Sequence, residues 1–504
     1  MKRLGEGESY KYLGSPIGLR AGDLLGDLLA KLRKDLDSVR SSELAPWQKI
    51  DALHTFLLPR LHFPLRVTAT TKKSLARTDT MVYGAVKEWL YLPQRASREI
   101  IHLPSHLGGG GYTPLPVLKD CLVVTQAFRM LTCKDPFVRK TAWYSLQEAV
   151  HQRLGKIGAP PEKRVLCGYL SGDAEITAGS TAGATASLWS RARRATRDLQ
   201  RLCGLRWEWS VFRHDISLRL SNPTPHSETL IIPSTSRHRA CGLIRRAIGE
   251  AYRRRLVAKK DQGKAMEAVT NSWDSSHFLS TGRFTRFCDW RFIHRARLNV
   301  LPLNGARRGV LNASRKCRRC RTEDETLPHV LNHCPSHSAA WKRRHDEILS
   351  LLRDALPPKW KARLDQKVEG DHSRLRPDLV VTEVPGGTVH IIDVTVPFEN
   401  RLEALHAARA AKMAKYDDLA ARLRCRLQFK QEVHLGALVV GSLGSWDKEN
   451  ERILSRLRIH RGRVATLRKK MVSAAVKWSR DIYCEHVSGQ RQYDCDVATT
   501  TDID

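Results

Sequence analysis

Residues 376–396 read RPDLVVTEVPGGTVHIIDVTV, with fourteen residues between Asp378 and Asp393. Leu379–Thr382 and Thr388–Val396 are β-rich, and Pro385-Gly386-Gly387 between them is turn chemistry, so a β-hairpin is expected. The two aspartates are symmetric about that turn. The simplest register therefore sets them opposite each other on one face, where paired residues lie about 4.5–5.5 Å apart. Two carboxylates at that separation suit one hard divalent cation, as phosphodiester chemistry requires. Spacing alone leaves a plainer reading open, a pair of exposed turn acids.

The chain has 504 residues, long enough for two to four domains. Lys and Arg total 86 against 52 Asp and Glu, a formal charge of +34, which points to a polyanionic partner. Nucleic acid suits this better than an anionic membrane. No apolar run reaches the roughly 18–20 residues of a spanning helix, and MKRLGEGESYKYLG has no apolar signal core. No membrane partner is expected, and nuclear entry fits the charge. The twelve cysteines are expected to be reduced or metal-bound rather than a disulfide framework.

From Tyr10 to about Pro160 apolar residues recur at helical spacing, as in Leu24, Leu25, Leu28, Leu29, Leu32 and Leu36. Gly108–Gly111 lacks the strand-before, helix-after setting of a phosphate loop and reads as a backbone turn. Residues 171–187 are small and polar, a linker signature. Beyond them Arg191, Arg193, Arg194, Arg197 and Arg201, then Arg245, Arg246, Arg253, Arg254, Arg255, Lys259 and Lys260, recur at three- and four-residue intervals. Phosphate contact is weighed against a solvated helix face. Trp207 and Trp209 read as core residues or as platforms for bases. After Cys334 a charged helix is expected over about 338–355. The hairpin follows, then a helix from about 400 to 426, a strand over 433–441 and a basic helix from about 449 to 483. Strand, strand, helix, strand, helix is an α/β module.

Cys317-x2-Cys320-x8-His329-x4-Cys334 offers three thiolates and an imidazole within 18 residues, the donor set of a closed structural Zn²⁺ site. His333 and His337 are spare donors for the fourth position. Arg315, Lys316, Arg318, Arg319 and Arg321 around the cluster favour a surface facing nucleic acid.

A compact CCHC knuckle, a charged helix and RPD-x14-D together resemble the C-terminal half of non-LTR retrotransposon polyproteins. The class it is most similar to inserts into ribosomal DNA and carries a restriction-like endonuclease. Tyr10-Lys11-Tyr12-Leu13-Gly14 resembles the passage from reverse-transcriptase palm to thumb. Leu57–Leu61, Glu88–Pro93 and Ile101–Pro104 resemble the thumb, and Ile293–Pro302 (IHRARLNVLP) resembles the segment before the knuckle. Residues 160–280 match least specifically. The fold class implied is multidomain, with an α-rich thumb and linker, a small CCHC zinc knuckle and an α/β restriction-endonuclease-like domain. The corresponding segments are 1–160, a basic linker region 161–310, the knuckle 311–340, the endonuclease 341–486 and a disordered tail 487–504.

The resemblance implies that Asp378 and Asp393 bind catalytic Mg²⁺, that the chain nicks duplex target DNA, and that it binds element RNA. In restriction enzymes generally the second acid is followed by x-Lys. Here Thr395 holds that position, and the family's alternative, a Lys-x-x-Lys-Tyr motif on the next helix, matches Lys412, Lys415 and Tyr416. Either lysine is the implied cation. Glu369 and Glu399 stand as further acids. The family's palm motif, Tyr/Phe-Ala-Asp-Asp, does not occur, so the chain is expected to be a truncated copy or piece of a polyprotein that does not polymerise DNA alone. Whether two copies act together stays open, as does a binding-only role for a degenerate nuclease.

Overall fold

The computed structural model describes residues 10–12, 15–17, 24–67, 71–153, 159–173, 187–221, 229–306, 314–368, 373–383, 387–426 and 432–493. Leu13, Gly14, most of the 171–187 linker, Glu369 and the Pro385-Gly386 hairpin tip lie outside them. The described chain is mostly helical and carries small sheets of two, three and four strands. It divides into two compact units.

The first unit comprises Met1–Trp89, Ile101–Leu103 and Gly110–Arg254. It opens on a short hairpin, β1 (Tyr10–Tyr12) and β2 (Ser15–Ile17). In the helix Leu24–Ser41 the heptad-like series Leu25, Leu29, Leu32 and Leu36 is buried, because one stripe of a 3.6-residue helix meets the core. The Leu115–Leu131 helix is buried on nearly all sides and forms the centre. Its core cluster runs on through the helix Leu188–Cys203 and the antiparallel strands β3 (Leu205–Ser210), β4 (Asp215–Leu220) and β5 (Leu230–Pro233) to Ile248. The stretch expected to be a linker thus folds, in this part, around the same core as the helices before it. Trp207 is buried and donates its indole N–H to Thr196 Oγ1 at 2.8 Å; Trp209 meets Trp143 edge to face at 5.7 Å. Both serve packing.

The second unit comprises Leu90–Ile100, Pro104–Gly109 and Arg255–Asp504. Its sheet has the order β6 (Trp360–Leu364), β7 (Leu379–Glu383), β8 (Val389–Thr395), β9 (Val433–Val439). The first two pairings are antiparallel; β8 and β9 are parallel, joined across the helix Arg401–Arg426. On one face Leu379, Val381, Ile392 and Val394 pack with the helices Ser338–Asp354 and Arg461–Ser488 through Ile348, Leu352, Met471 and Val472. On the other, Ile391, Val433 and Leu435 meet Tyr416, Leu419, Ala420 and Leu423. The result is a three-layer α/β/α arrangement.

Two expectations change here. The basic helix anticipated over about 449–483 is two helices, Asn450–Arg456 and Arg461–Ser488, because Arg458 takes a left-handed φ of +48° while Leu457 and Ile459 turn into the core. The disordered tail anticipated over 487–504 does not start at 487: helix continues to Ser488, and Tyr493 lies 5.2 Å from the Trp478 ring, while 494–504 lie outside the described residues.

Candidate metal centres

One step beyond the Leu379–Ile392 pair, the β7–β8 register sets Asp378 opposite Asp393. Alternation turns Asp393 toward the face covered by the Arg401–Arg426 helix, while Asp378, just before β7 at the strand end, also reaches the Ser338–Asp354 helix. The Val394 amide donates to Asp378 Oδ2 at 2.6 Å, and His345 Nε2 lies 2.9 Å from the same oxygen. His345 Nδ1 is 3.0 Å from Asp346 Oδ1. Burial by itself would raise the Asp378 carboxyl and depress His345. Their mutual contact outweighs it, so Asp378 is held below the usual carboxylate range and His345 is pushed up to about 9.

Asp393 is 1% exposed. The Lys412 ammonium forms an ion pair with its Oδ2, yet neither oxygen accepts a well-aligned hydrogen bond among the described residues. A buried carboxylate with open lone pairs beside a second carboxylate is a donor set that suits a hard cation. The charge of Lys412 also bears on Asp378. Tyr416, one turn beyond Lys412, is buried and donates its hydroxyl to the Arg376 carbonyl at 2.9 Å. Burial, and then the charge of Asp393, push its ionisation well up, so it acts as a neutral strut for the Arg376-Pro377-Asp378 segment. Lys415 is exposed, with its ammonium 4.7 Å from the Tyr416 ring centre. Of the two lysines, Lys412 stands at the acids. His345 had no mark in the sequence; only the packing of its helix brings it there.

Glu399 is fully buried and is turned to another task. Its Oε1 accepts from the amides of Leu443 at 2.8 Å and Ser445 at 3.1 Å, fastening the 441–445 loop. Arg297, from the IHRARLNVLP segment, donates to the Leu443 carbonyl at 3.0 Å and braces the same loop. Burial raises the Glu399 carboxyl and depresses Arg297.

Cys317, Cys320, His329 and Cys334 converge, their donor atoms all within 4.8 Å of one another. The Cys317 and Cys334 sulfurs are 3.8 Å apart, and Cys320 Sγ is 3.3 Å from His329 Nε2. A tetrahedron with Zn–S bonds of about 2.3 Å has sulfur–sulfur edges of about 3.8 Å, so these residues fit such a metal. Burial pushes the Cys334 thiol up to about 11. At Cys320 the amides and hydroxyl of residues Thr322 and Glu323 overcome burial and hold it at about 6. His333 is exposed, whereas His337 lies at the edge of the cluster: with His486 it comes within 4.8 Å of the Cys334 sulfur, and its Nε2 is 3.0 Å from His486 Nδ1.

Most basic residues around the cluster are tied within the protein. Arg318 makes a fork to Glu325 at 2.7 and 2.9 Å, and Arg319 donates to the carbonyls of His486 at 2.9 Å and Glu485 at 2.8 Å. Arg315 pairs with Asp324 at 3.2 Å, and Lys316 donates to the Thr322 carbonyl at 2.8 Å. Arg321 is exposed at φ +61°. In the other basic block Arg253 pairs with Glu250 at 2.7 Å, Arg254 is half-buried, Arg255 is exposed, and Arg193 is buried with its guanidinium 4.7 Å from the Tyr169 ring. Arg194, Arg197 and Arg201 line one exposed helical face.

No protein-family model matches the chain. It is 24% identical over 457 residues to a retrovirus-related Pol polyprotein from the type-1 retrotransposable element R2 of Popillia japonica, covering 90% of this chain and 77% of that one. A second R2 Pol polyprotein, from Bradysia coprophila, is 22% identical over 91% of this chain, which spans 44% of its length. An uncharacterized protein of Caenorhabditis elegans is 25% identical over 310 residues, 60% of this chain and 86% of its own.

Proposed function

We infer that this chain, which belongs with the Pol polyproteins of R2-type non-LTR retrotransposons, carries in its second unit a divalent-metal endonuclease that nicks duplex DNA. The meeting of Asp378 and Asp393 as register neighbours, with Lys412 paired to Asp393 and its charge felt at Asp378, carries the reading. Asp378 and Asp393 would hold Mg²⁺, which when bound would stabilise phosphate charge and acidify the attacking water. The chain's own groups do the rest. The Val394 amide and His345 fix the Asp378 carboxylate, Lys412 offers the cation at the scissile phosphate, and Tyr416 holds the loop that presents Asp378. The product is a nick with a free 3′ hydroxyl, which would prime reverse transcription by the element.

The Cys317/Cys320/His329/Cys334 cluster is read as a structural zinc knuckle, since four protein donors leave no position for substrate. The formal charge of +34 and the exposed face of Arg194, Arg197 and Arg201 favour nucleic acid partners, target DNA and element RNA, in the nucleus.

A plasmid assay tests the nuclease. The wild-type chain should convert supercoiled plasmid to open circles with Mg²⁺, and Asp378→Ala should bind duplex DNA equally well without nicking it. Nicking by that variant at the wild-type rate would sink the assignment; a wild-type chain that binds and never cleaves leaves only a binding module.

A further inference from the structure

Beside the four-donor cluster lies a second set of buried polar groups, two of them local and one, His486, from a distant part of the chain. His486, in the last turn of the Arg461–Ser488 helix, is fully buried, as is Glu325; His337 is 2% exposed. His486 Nε2 is 2.9 Å from Glu325 Oε1 and 4.0 Å from Cys317 Sγ, while its Nδ1 is 3.0 Å from His337 Nε2.

These distances fix the direction of each bond. Glu325 also receives the Arg318 amide at 3.0 Å, the Arg318 fork and the Asn304 amide at 2.6 Å, so it is an acceptor throughout. His486 Nε2 must therefore carry its proton and donate, toward Glu325 and, at longer range, the Cys317 sulfur. Nδ1 is then a lone pair that accepts from His337 Nε2. Arg318 directly follows Cys317, so Glu325 grips the second residue of the Cys-x-x-Cys turn and His486 grips Glu325. Arg319, in the same turn, donates to the carbonyls of Glu485 and His486 at the helix end, where the Glu485 carbonyl also accepts the Gly489 amide at 2.9 Å.

We propose that His486 is an outer-shell positioning residue of the knuckle, so that the metal site is completed by the C-terminal helix and is not an autonomous finger. The inference rests on the zinc reading above. Its physical basis is that a charge-bearing thiolate gains from a nearby N–H donor, and that outer-shell partners hold a ligand turn in the one geometry the metal accepts. Two of the knuckle's arginines then serve as fasteners to that helix.

The test uses the full chain and a chromophoric chelator that competes for Zn²⁺. His486→Ala should bind one Zn²⁺ on the order of 10–100-fold more weakly, the usual effect of losing an outer-shell partner. His486→Gln, whose amide N–H replaces the Nε2 donor, should recover most of that affinity; His486→Asn, which mimics the other nitrogen, should not. Co²⁺ loading should give the ligand-field bands of three sulfurs and one nitrogen in wild type and a shifted spectrum in His486→Ala. Removing zinc from the wild-type chain should also speed amide hydrogen exchange over residues 480–488. Wild-type affinity in His486→Ala, or unchanged exchange on zinc removal, overturns the proposal. A wild-type chain that binds no zinc overturns the zinc reading itself.

Discussion

The knuckle and the acidic hairpin are two candidate metal centres in the same unit, and they are built on opposite principles. In the knuckle all four donors come from 18 residues, are mostly sulfur and close on one another. At the hairpin two hard carboxylates come from neighbouring strands, and their charged companions, Lys412 and His345, arrive from helices on either side of the sequence. A closed local site suits holding a fold together, and an open site assembled from afar suits reacting with something that enters. Even so, the contrast has a limit. The knuckle's inner donors are local, whereas through Glu325 it is bound to His486, more than 150 positions away.

The largest effect is expected at the hairpin: losing metal binding in Asp378→Ala or Asp393→Ala should remove several kcal/mol of transition-state stabilisation, about 10³-fold or more in nicking rate. Lys412→Ala should slow nicking by roughly 10²-fold with little change in duplex affinity, measured under single-turnover conditions. Lys415→Ala should stay within about threefold, because an exposed ammonium over a ring is a weak contact. If Lys415 proved the more sensitive, the assignment of the cation would be reversed.

At the knuckle, chelation of zinc should lower thermal stability without touching the hairpin chemistry directly. A structural metal contributes several kcal/mol, and a unit of this size shifts by about 2–4 °C per kcal/mol, so a fall of about 10 °C is expected in a melting curve.

A smaller effect concerns pH. His345 has its folded value raised to about 9, so the His345–Asp378 pair contributes fully below the ordinary histidine value near 6.5 and fades as pH rises through about 9. In metal-free buffer the melting temperature should therefore decline by a few degrees across that window, and His345→Gln should flatten the decline. An equally steep decline in the variant would assign it to other groups. Because Asp378 is shifted down, its share is present above the ordinary carboxylate range and is lost only in acid.

Much of the hairpin was legible beforehand because strand alternation and a Pro-Gly-Gly turn specify register over a short distance. Strand β6 was not: Trp360-Lys361-Ala362-Arg363-Leu364 does alternate, but over only five residues directly after Pro357-Pro358, too short a run to be read as a strand without its partner. The strands β3–β5 were hidden for a different reason. Arginine spacing in 191–260 drew the reading toward helices, although Ile216, Leu218 and Leu220 carry a clean period of two. Around the knuckle, composition counts Arg318 and Arg319 as positive charge and cannot show that Glu325 and a helix end already hold them.

The donor sets are legible in the sequence alone: which four residues offer donors suited to a soft metal, which two aspartates a hairpin sets opposite each other, and a large excess of positive charge. These follow from side-chain chemistry and short-range geometry, where a few residues of separation fix distance. Tertiary structure alone decided which lysine stands at the acids, that Glu399 fastens a loop, that His345 holds Asp378, and that His486 backs the knuckle. Each depends on helices packed across the sheet, and burial, which sets the cost of an unpartnered charge, exists only once those layers have closed.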